Sequence, residues 1–163
     1  MKFKGCAWVF GDNIDTDQII STQYYILNDM REMAKHAMEV VMPSFAFSVK
    51  HGDILVAGKI FGCGSSREQA PQVLKELGIS VIVADSFARI FFRNCINIGL
   101  PVFESFGISS KIKNGDILEV DISEGVLTNL TDGNVYSGLK LPNFLLEILK
   151  NGGLLEYALK TEI

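Results

Sequence analysis

Two rhythms of apolar and polar positions divide the chain. Between residues 53 and 104, short apolar runs alternate with segments whose apolar residues recur every three or four positions. The runs DILVAG (53–58), ISVIVA (79–84) and LPVFE (100–104) are too short for helices, so each predicts a buried strand. REQAPQVLKELG (67–78) and SFARIFFRNCINIG (86–99) predict the helices between them. Pro71 falls near the start of the first, where a missing N–H is tolerated, and Gly78 closes it. Ser86 is the expected N-cap of the second and Gly99 its end. Strand, helix, strand, helix, strand in this order requires parallel pairing. Beyond residue 115 the period falls to two, in GDILEVDISEGVLTNLTDGNVYSG. Turns at Asn114 and Gly115, Glu124 and Gly125, and Asp132 and Gly133 make this an antiparallel ribbon. The fold class is therefore α/β, a core of parallel strands and helices plus an antiparallel ribbon.

The flanks fill in the outline. KFKGCAWV (2–9) reads as a further strand, and FGDNIDTDQI (10–19), with three aspartates and a glycine, as a loop. Residues 28–41 place Met30, Met33, Ala34, Ala37, Met38 and Val41 at helical spacing, which predicts a core-facing helix. A helix over 142–150 closes the chain, with a shorter one after Gly152 and Gly153.

Composition narrows the function. The chain has 163 residues, 48% hydrophobic and 21% charged, enough for one folded domain spanning 1–163. Its formal net charge is −4 with no block of Lys or Arg, which argues against a partner held through nucleic-acid phosphates. No apolar run approaches the roughly 20 residues of a membrane span, and MKFKGCAWVFGDN carries too brief an apolar run for a signal peptide. Cys6, Cys63 and Cys95 are widely spaced, with no C-x-x-C pair, so neither a disulfide scaffold nor a metal held by this chain alone is expected. A reducing cytoplasm is the expected location. With only His36 and His51, chemistry must run largely without imidazole unless another chain supplies it.

The stretch KIFGCGSSREQAP (59–71) carries the chemistry. It is a glycine-rich turn after a strand and before a helix, where backbone N–H groups and the helix N-terminus converge. Arg67 adds a planar cation suited to carboxylate or phosphate, Gly62 and Gly64 admit a ligand close to the backbone, and Ser65 and Ser66 offer hydroxyls. The same residues also fit a plain helix start, because Ser66-x-x-Gln69 matches a capping box. Neither G-x-x-x-x-G-K-[ST] nor G-x-S-x-G is present. An anion cradle is indicated, and the reaction is not.

GKIFGCGSSREQAP (58–71) resembles the signature of the aconitase superfamily's swivelling domain, in the form of the separate small subunits of 3-isopropylmalate dehydratase and its relatives. FGDNIDTDQII, ADSFARIFFRNCINIGLPV, GDILEVDI and LPNFLLEILKNGGLLEY resemble further family segments, in order and over nearly the whole chain. The resemblance implies a hydro-lyase subunit that is active only with a large subunit. Such enzymes move water between neighbouring carbons of a malate-type acid, and the large subunit carries the four-iron four-sulfur cluster and the catalytic histidines. It implies Ser65 as the base that takes a carbon-bound proton and Arg67 as its supporting cation and carboxylate clamp. Ser66 becomes helix cap and backbone donor, and Glu68 either orients Arg67 or meets the large subunit. Thr16 and Asp17 match active-site positions, and Cys63 reads as packing. The family's usual His is Gln69 here. Arg89 and Arg93 share a helix face near Asn94, either contacting the large subunit, anchoring the first loop, or solvated.

The resemblance also places STQYYILND (21–29) against the substrate's variable side chain, which brings Tyr24 and Ile26 into the candidate set. Relatives that take a distal carboxylate carry Arg at the position of Ile26. Ile26 would cover a branched alkyl group instead, gaining about 0.8 kcal/mol per buried methylene. The implied acid is isopropylmalate, in leucine biosynthesis, with 2,3-dimethylmalate and homoaconitate as alternatives. Tyr25 stands where Leu is usual, and Ser21 and Gln23 replace Pro and Arg.

Overall fold

The computed structural model describes residues 1–161 and gathers seven strands into one sheet. β1 (Lys2–Val9) lies at its centre and divides it by chemistry. On one side it runs parallel to β2 (Ile54–Ala57), pairing Ala7 with Ile54 and Val9 with Val56. β3 (Val81–Ala84) and β4 (Val102–Glu104) continue the parallel half. On the other side β1 runs antiparallel to β5 (Ile117–Asp121), followed by β6 (Val126–Asn129) and β7 (Val135–Ser137). Every residue of β2 and β3 is buried, as strands covered on both faces must be. β5 and β6 alternate instead, in keeping with one covered face. Both rhythms of the sequence thus become the two halves of a single sheet.

Helices α4 (Gln69–Glu76) and α5 (Arg89–Asn97) connect the parallel strands. α4 buries Ala70, Pro71, Val73 and Leu74, and α5 buries Phe91, Cys95 and Ile96. α6 (Asn143–Lys150) packs beside α5 and buries Leu146, Ile148 and Leu149, and α7 (Leu154–Thr161) meets both.

Four local expectations are corrected. The first loop contains a helical turn, α1 (Thr16–Ile19). Asp15 accepts from the Gln18 N–H while Gln18 Oε1 accepts from the Asp15 N–H, a reciprocal box that settles this short turn. Only α2 (Met30–Ala34) forms within 28–41. Met38 adopts φ +60 and its N–H donates to the Ile19 carbonyl, leaving the helical ladder. The apolar stripe is nonetheless buried at Met33, Ala34, Ala37 and Met38. A further short helix, α3 (Phe45–Ser48), precedes β2.

The other two concern helix starts. Ser66 does not cap α4: Glu68 is the N-cap, with no side-chain hydrogen bond. Pro71 explains the shift. With Ser66 as cap, Pro71 would be the fifth helical residue, its ring against the Arg67 carbonyl and its missing N–H owed to it. Starting at Gln69 puts Pro71 within the first turn, where no N–H is needed. Ser86 likewise does not cap α5, whose N-cap is Ala88. Its Oγ accepts from the Ile60 N–H, its carbonyl from the Phe61 N–H, and the Phe61 carbonyl accepts from the Ala88 N–H. These bonds zip together the loops leaving the carboxyl ends of β2 and β3.

Candidate active site

The turn after β2 is built by backbone. The Gly62 N–H donates to the Ile14 carbonyl at 2.8 Å, and the Thr16 N–H to the Cys63 carbonyl at 3.0 Å. Thr16 Oγ1, buried, donates to the Ser65 carbonyl at 2.9 Å. The first loop therefore serves as a splint along residues 62–65. Gly62 has φ +80 and lies against Phe91, so a Cβ there would sit 2.1 Å from the ring. Glycine is required on both counts. Among the described residues, the N–H groups of Gly64, Ser65, Ser66 and Arg67 donate to no protein acceptor. Four unclaimed donors in succession beside a guanidinium form a concavity able to hold an anion.

That concavity opens into a cavity of about 360 Å³ at the carboxyl ends of the parallel strands, where open α/β sheets place their ligands. Thr16, Ser65, Ser66 and Arg67 line it, as do Arg89 and Asn94 of α5. Asp17 stands at the rim with an oxygen 3.8 Å from the Arg67 guanidinium, a loose and partly exposed pair of small energetic weight. Glu68 makes no ion pair with Arg67 among the described residues, so Asp17 holds the place considered for it. Cys63 contributes its carbonyl, and its thiol is pushed up by burial and by the Asp15 charge, which disfavours the thiolate. Arg93 lines a neighbouring apolar groove with Phe144 and Leu154 rather than this cavity.

The segment Thr22–Ile26 forms a 3₁₀ turn. Three residues per turn send successive side chains about 120° apart. Tyr24 stacks on His36 with ring centroids 3.7 Å apart, and its hydroxyl donates to Glu39. Tyr25 lies beside Arg67, the guanidinium carbon 5.5 Å from its ring centroid. Ile26 is 82% exposed. Neither Tyr24 nor Ile26 lines the cavity of this chain. Sequence reasoning had no means to choose between adjacent tyrosines and did not select Tyr25, Arg89 or Asn94 as site residues. For Arg89 and Asn94 the signal was their position on a helix that starts beside the glycine turn.

Arg67 and Tyr25 share an unusual condition. Arg67 Nε and the Tyr25 hydroxyl are both buried without a hydrogen-bond partner among the described residues. A dry, unpaired polar group costs on the order of 1–3 kcal/mol. Burial also pushes the Tyr25 phenol above its ordinary range, against the opposing pull of Arg67.

A β/α core with a glycine-serine-arginine turn at its carboxyl edge defines an α/β domain, and comparison with known proteins gives its kind. Residues 7–104 match the model of the aconitase C-terminal domain, and the chain belongs to that family. It is 54% identical over 159 residues to the 3-isopropylmalate dehydratase small subunit of Aquifex aeolicus, covering 97% of this chain and 95% of the relative. It is 52% identical over 157 residues to the isopropylmalate/citramalate isomerase small subunit of Methanocaldococcus jannaschii, covering 96% and 94%. A crystal structure described as 3-isopropylmalate dehydratase of the same organism superposes with a TM-score of 0.94 at 41% identity, covering 99% of this chain and 96% of that one.

The cysteines do not form a metal site. They lie in β1, in the glycine turn and in α5, and no cluster of three His, Cys, Asp or Glu able to hold a metal occurs among the described residues. No helix among them is long and apolar enough to cross a membrane.

Proposed function

We propose that this chain is the small subunit of a cytoplasmic hydro-lyase that interconverts 2-isopropylmalate and 3-isopropylmalate by dehydration and rehydration, in leucine biosynthesis. The observation that carries the reading is chain-long identity above half to proteins named as small subunits of that enzyme. Among the described residues no donor set fits an iron–sulfur cluster, and on this reading a large partner subunit supplies the cluster and the histidines.

What this chain contributes follows from its own residues. Ser65, as alkoxide, takes the proton from the carbon that loses it on dehydration and returns a proton to the double bond on hydration. A serine hydroxyl is a very weak base in water. The unclaimed N–H groups around it and the Arg67 charge stabilise the alkoxide in a closed site. Arg67 also holds a substrate carboxylate through its planar fork. Thr16 fixes the Ser65 backbone, Ser66 contributes an N–H and a hydroxyl toward the acid, and Asp17 keeps Arg67 at the rim. Tyr24 sets the position of the 3₁₀ turn, and Ile26, exposed in the lone chain, covers the branched alkyl group once the subunits close. A distal carboxylate against Ile26 would remain unpaired, at a cost of several kcal/mol.

The test is a reconstituted pair assayed side by side on isopropylmalate, citramalate, homocitrate, citrate and 2,3-dimethylmalate. The highest kcat/KM is expected for isopropylmalate. A higher value for homocitrate would contradict the role of Ile26. A preference for dimethylmalate or citramalate would keep the apolar pocket and remove the pathway. Turnover of none of them would leave a carboxylate-binding module.

A further inference from the structure

The arginine of the cradle is held by a residue outside the cradle. Arg67 leaves the backbone just before α4, where its carbonyl accepts from the Ala70 N–H at 3.2 Å and its own N–H is unclaimed among the described residues. Its ion pair with Asp17 is long, at 3.8 Å, and Asp17 is 61% exposed on its side chain. Its Nε has no hydrogen-bond partner among the described residues. Beside it lies the Tyr25 ring, 5.5 Å from the guanidinium carbon and carried by a different segment of the chain. A flat cation over an aromatic face is attracted by the ring quadrupole, the more so away from water. The Tyr25 hydroxyl, in contrast, bonds to nothing among the described residues. The ring has a task in this geometry and the hydroxyl has none.

We propose that Tyr25 is a positioning residue that acts through Arg67: its ring holds the guanidinium against the cavity wall, in the orientation that receives a substrate carboxylate. This rests on the proposed function for its kinetic consequence and on the free chain for its geometry. It gives the 3₁₀ turn a dual role, Tyr25 serving the carboxylate common to all malate-type acids while Ile26 faces the variable group.

The two consequences are measured separately. In the reconstituted pair, Tyr25→Leu should raise KM for isopropylmalate about tenfold, because the carboxylate contact of Arg67 is loosened, with a smaller fall in kcat from the weaker support of the Ser65 alkoxide. Tyr25→Phe keeps the ring and should stay within about twofold of the parent in both constants. In the full small subunit alone, ¹H–¹⁵N spectra should show the Arg67 Nε–H displaced by the ring current, with Tyr25→Phe retaining the displacement and Tyr25→Leu losing it. An unchanged KM in Tyr25→Leu, or Tyr25→Phe as impaired as Tyr25→Leu, would overturn the inference. If the parent pair turns over no acid, the proposed function fails by itself. The Nε–H resonance then decides this inference, which is overturned if Tyr25→Leu leaves it unmoved.

Discussion

The glycine turn and the 3₁₀ turn, which meet at Arg67 and Tyr25, are made differently. The turn 62–65 is held through its own main chain: the Gly62 N–H on Ile14, the Cys63 carbonyl on Thr16, the Ser65 carbonyl under Thr16 Oγ1, and a glycine pressed on Phe91. Among the described residues the backbone of Thr22–Ile26 is tied locally, Tyr24 N–H to Ser21 and Leu27 N–H to Tyr24, with no side-chain cap. It is located by two tyrosine side chains, one on His36 and Glu39, the other on Arg67. Backbone fixation suits a group that must meet one carbon in one geometry. Side-chain fixation suits a segment whose residues can change with the acid while the glycine turn stays put.

The contrast can be broken most severely at Gly62. Gly62→Ala puts a methyl into the Phe91 ring and holds an L-residue at φ +80, so a loss of about 4 kcal/mol of stability is expected in denaturant melts. Full stability in that variant would mean that the turn is not rigidly packed. Next comes Arg67→Lys, which keeps the charge and loses the fork. About hundredfold lower kcat/KM is expected with an unchanged melting curve, and unaltered kinetics would remove Arg67 from the site. Thr16→Val keeps the shape of a buried side chain and orphans the Ser65 carbonyl, which should cost about 1–2 kcal/mol. A neutral result would show that the splint does not depend on this bond.

The mildest effect distinguishes the two turns by pH. Burial alone would raise the Glu39 carboxyl, but its bonds with Tyr24 and His36 and the charge of His36 outweigh it, so it lies below its ordinary value. A depressed carboxylate stabilises the fold above its unfolded value, and that contribution is lost as pH falls through the folded value. Acidification into that window should therefore release the Tyr24 contact and speed exchange of the bonded Tyr24 and Leu27 amides, relative to their intrinsic rates, while the bonded Gly62 and Thr16 amides of the glycine turn stay protected. Equal acceleration in both stretches would contradict the separation.

Much of this was legible in the chain. Period two against period three to four gave the parallel core and the ribbon, and the glycine-serine-arginine turn located the cradle. What escaped was set by contacts across the fold. Ser86 has the look of a helix cap, and only the neighbouring loop reveals that its oxygens serve Ile60 and Phe61. Ser66 and Gln69 spell a capping box that Pro71 forbids, a conflict visible in the sequence once the proline's partner carbonyl is counted. Met38 leaves the helix because the Ile19 carbonyl, nineteen positions earlier, claims its N–H. The pairing of Tyr25 with Arg67 depends on the phase of a single 3₁₀ turn, which no periodicity in nine residues encodes.

The central claim is that Ser65 carries the proton, on a turn held by backbone and independent of its side chain. Its most direct test is Ser65→Ala in the reconstituted pair, with kcat for isopropylmalate measured beside the thermal melt of the small subunit. Because Ser65 is exposed and only its carbonyl is used by the fold, the melt should match the parent while kcat falls by at least about a thousandfold. A folded Ser65→Ala pair that keeps near-normal turnover would contradict the account.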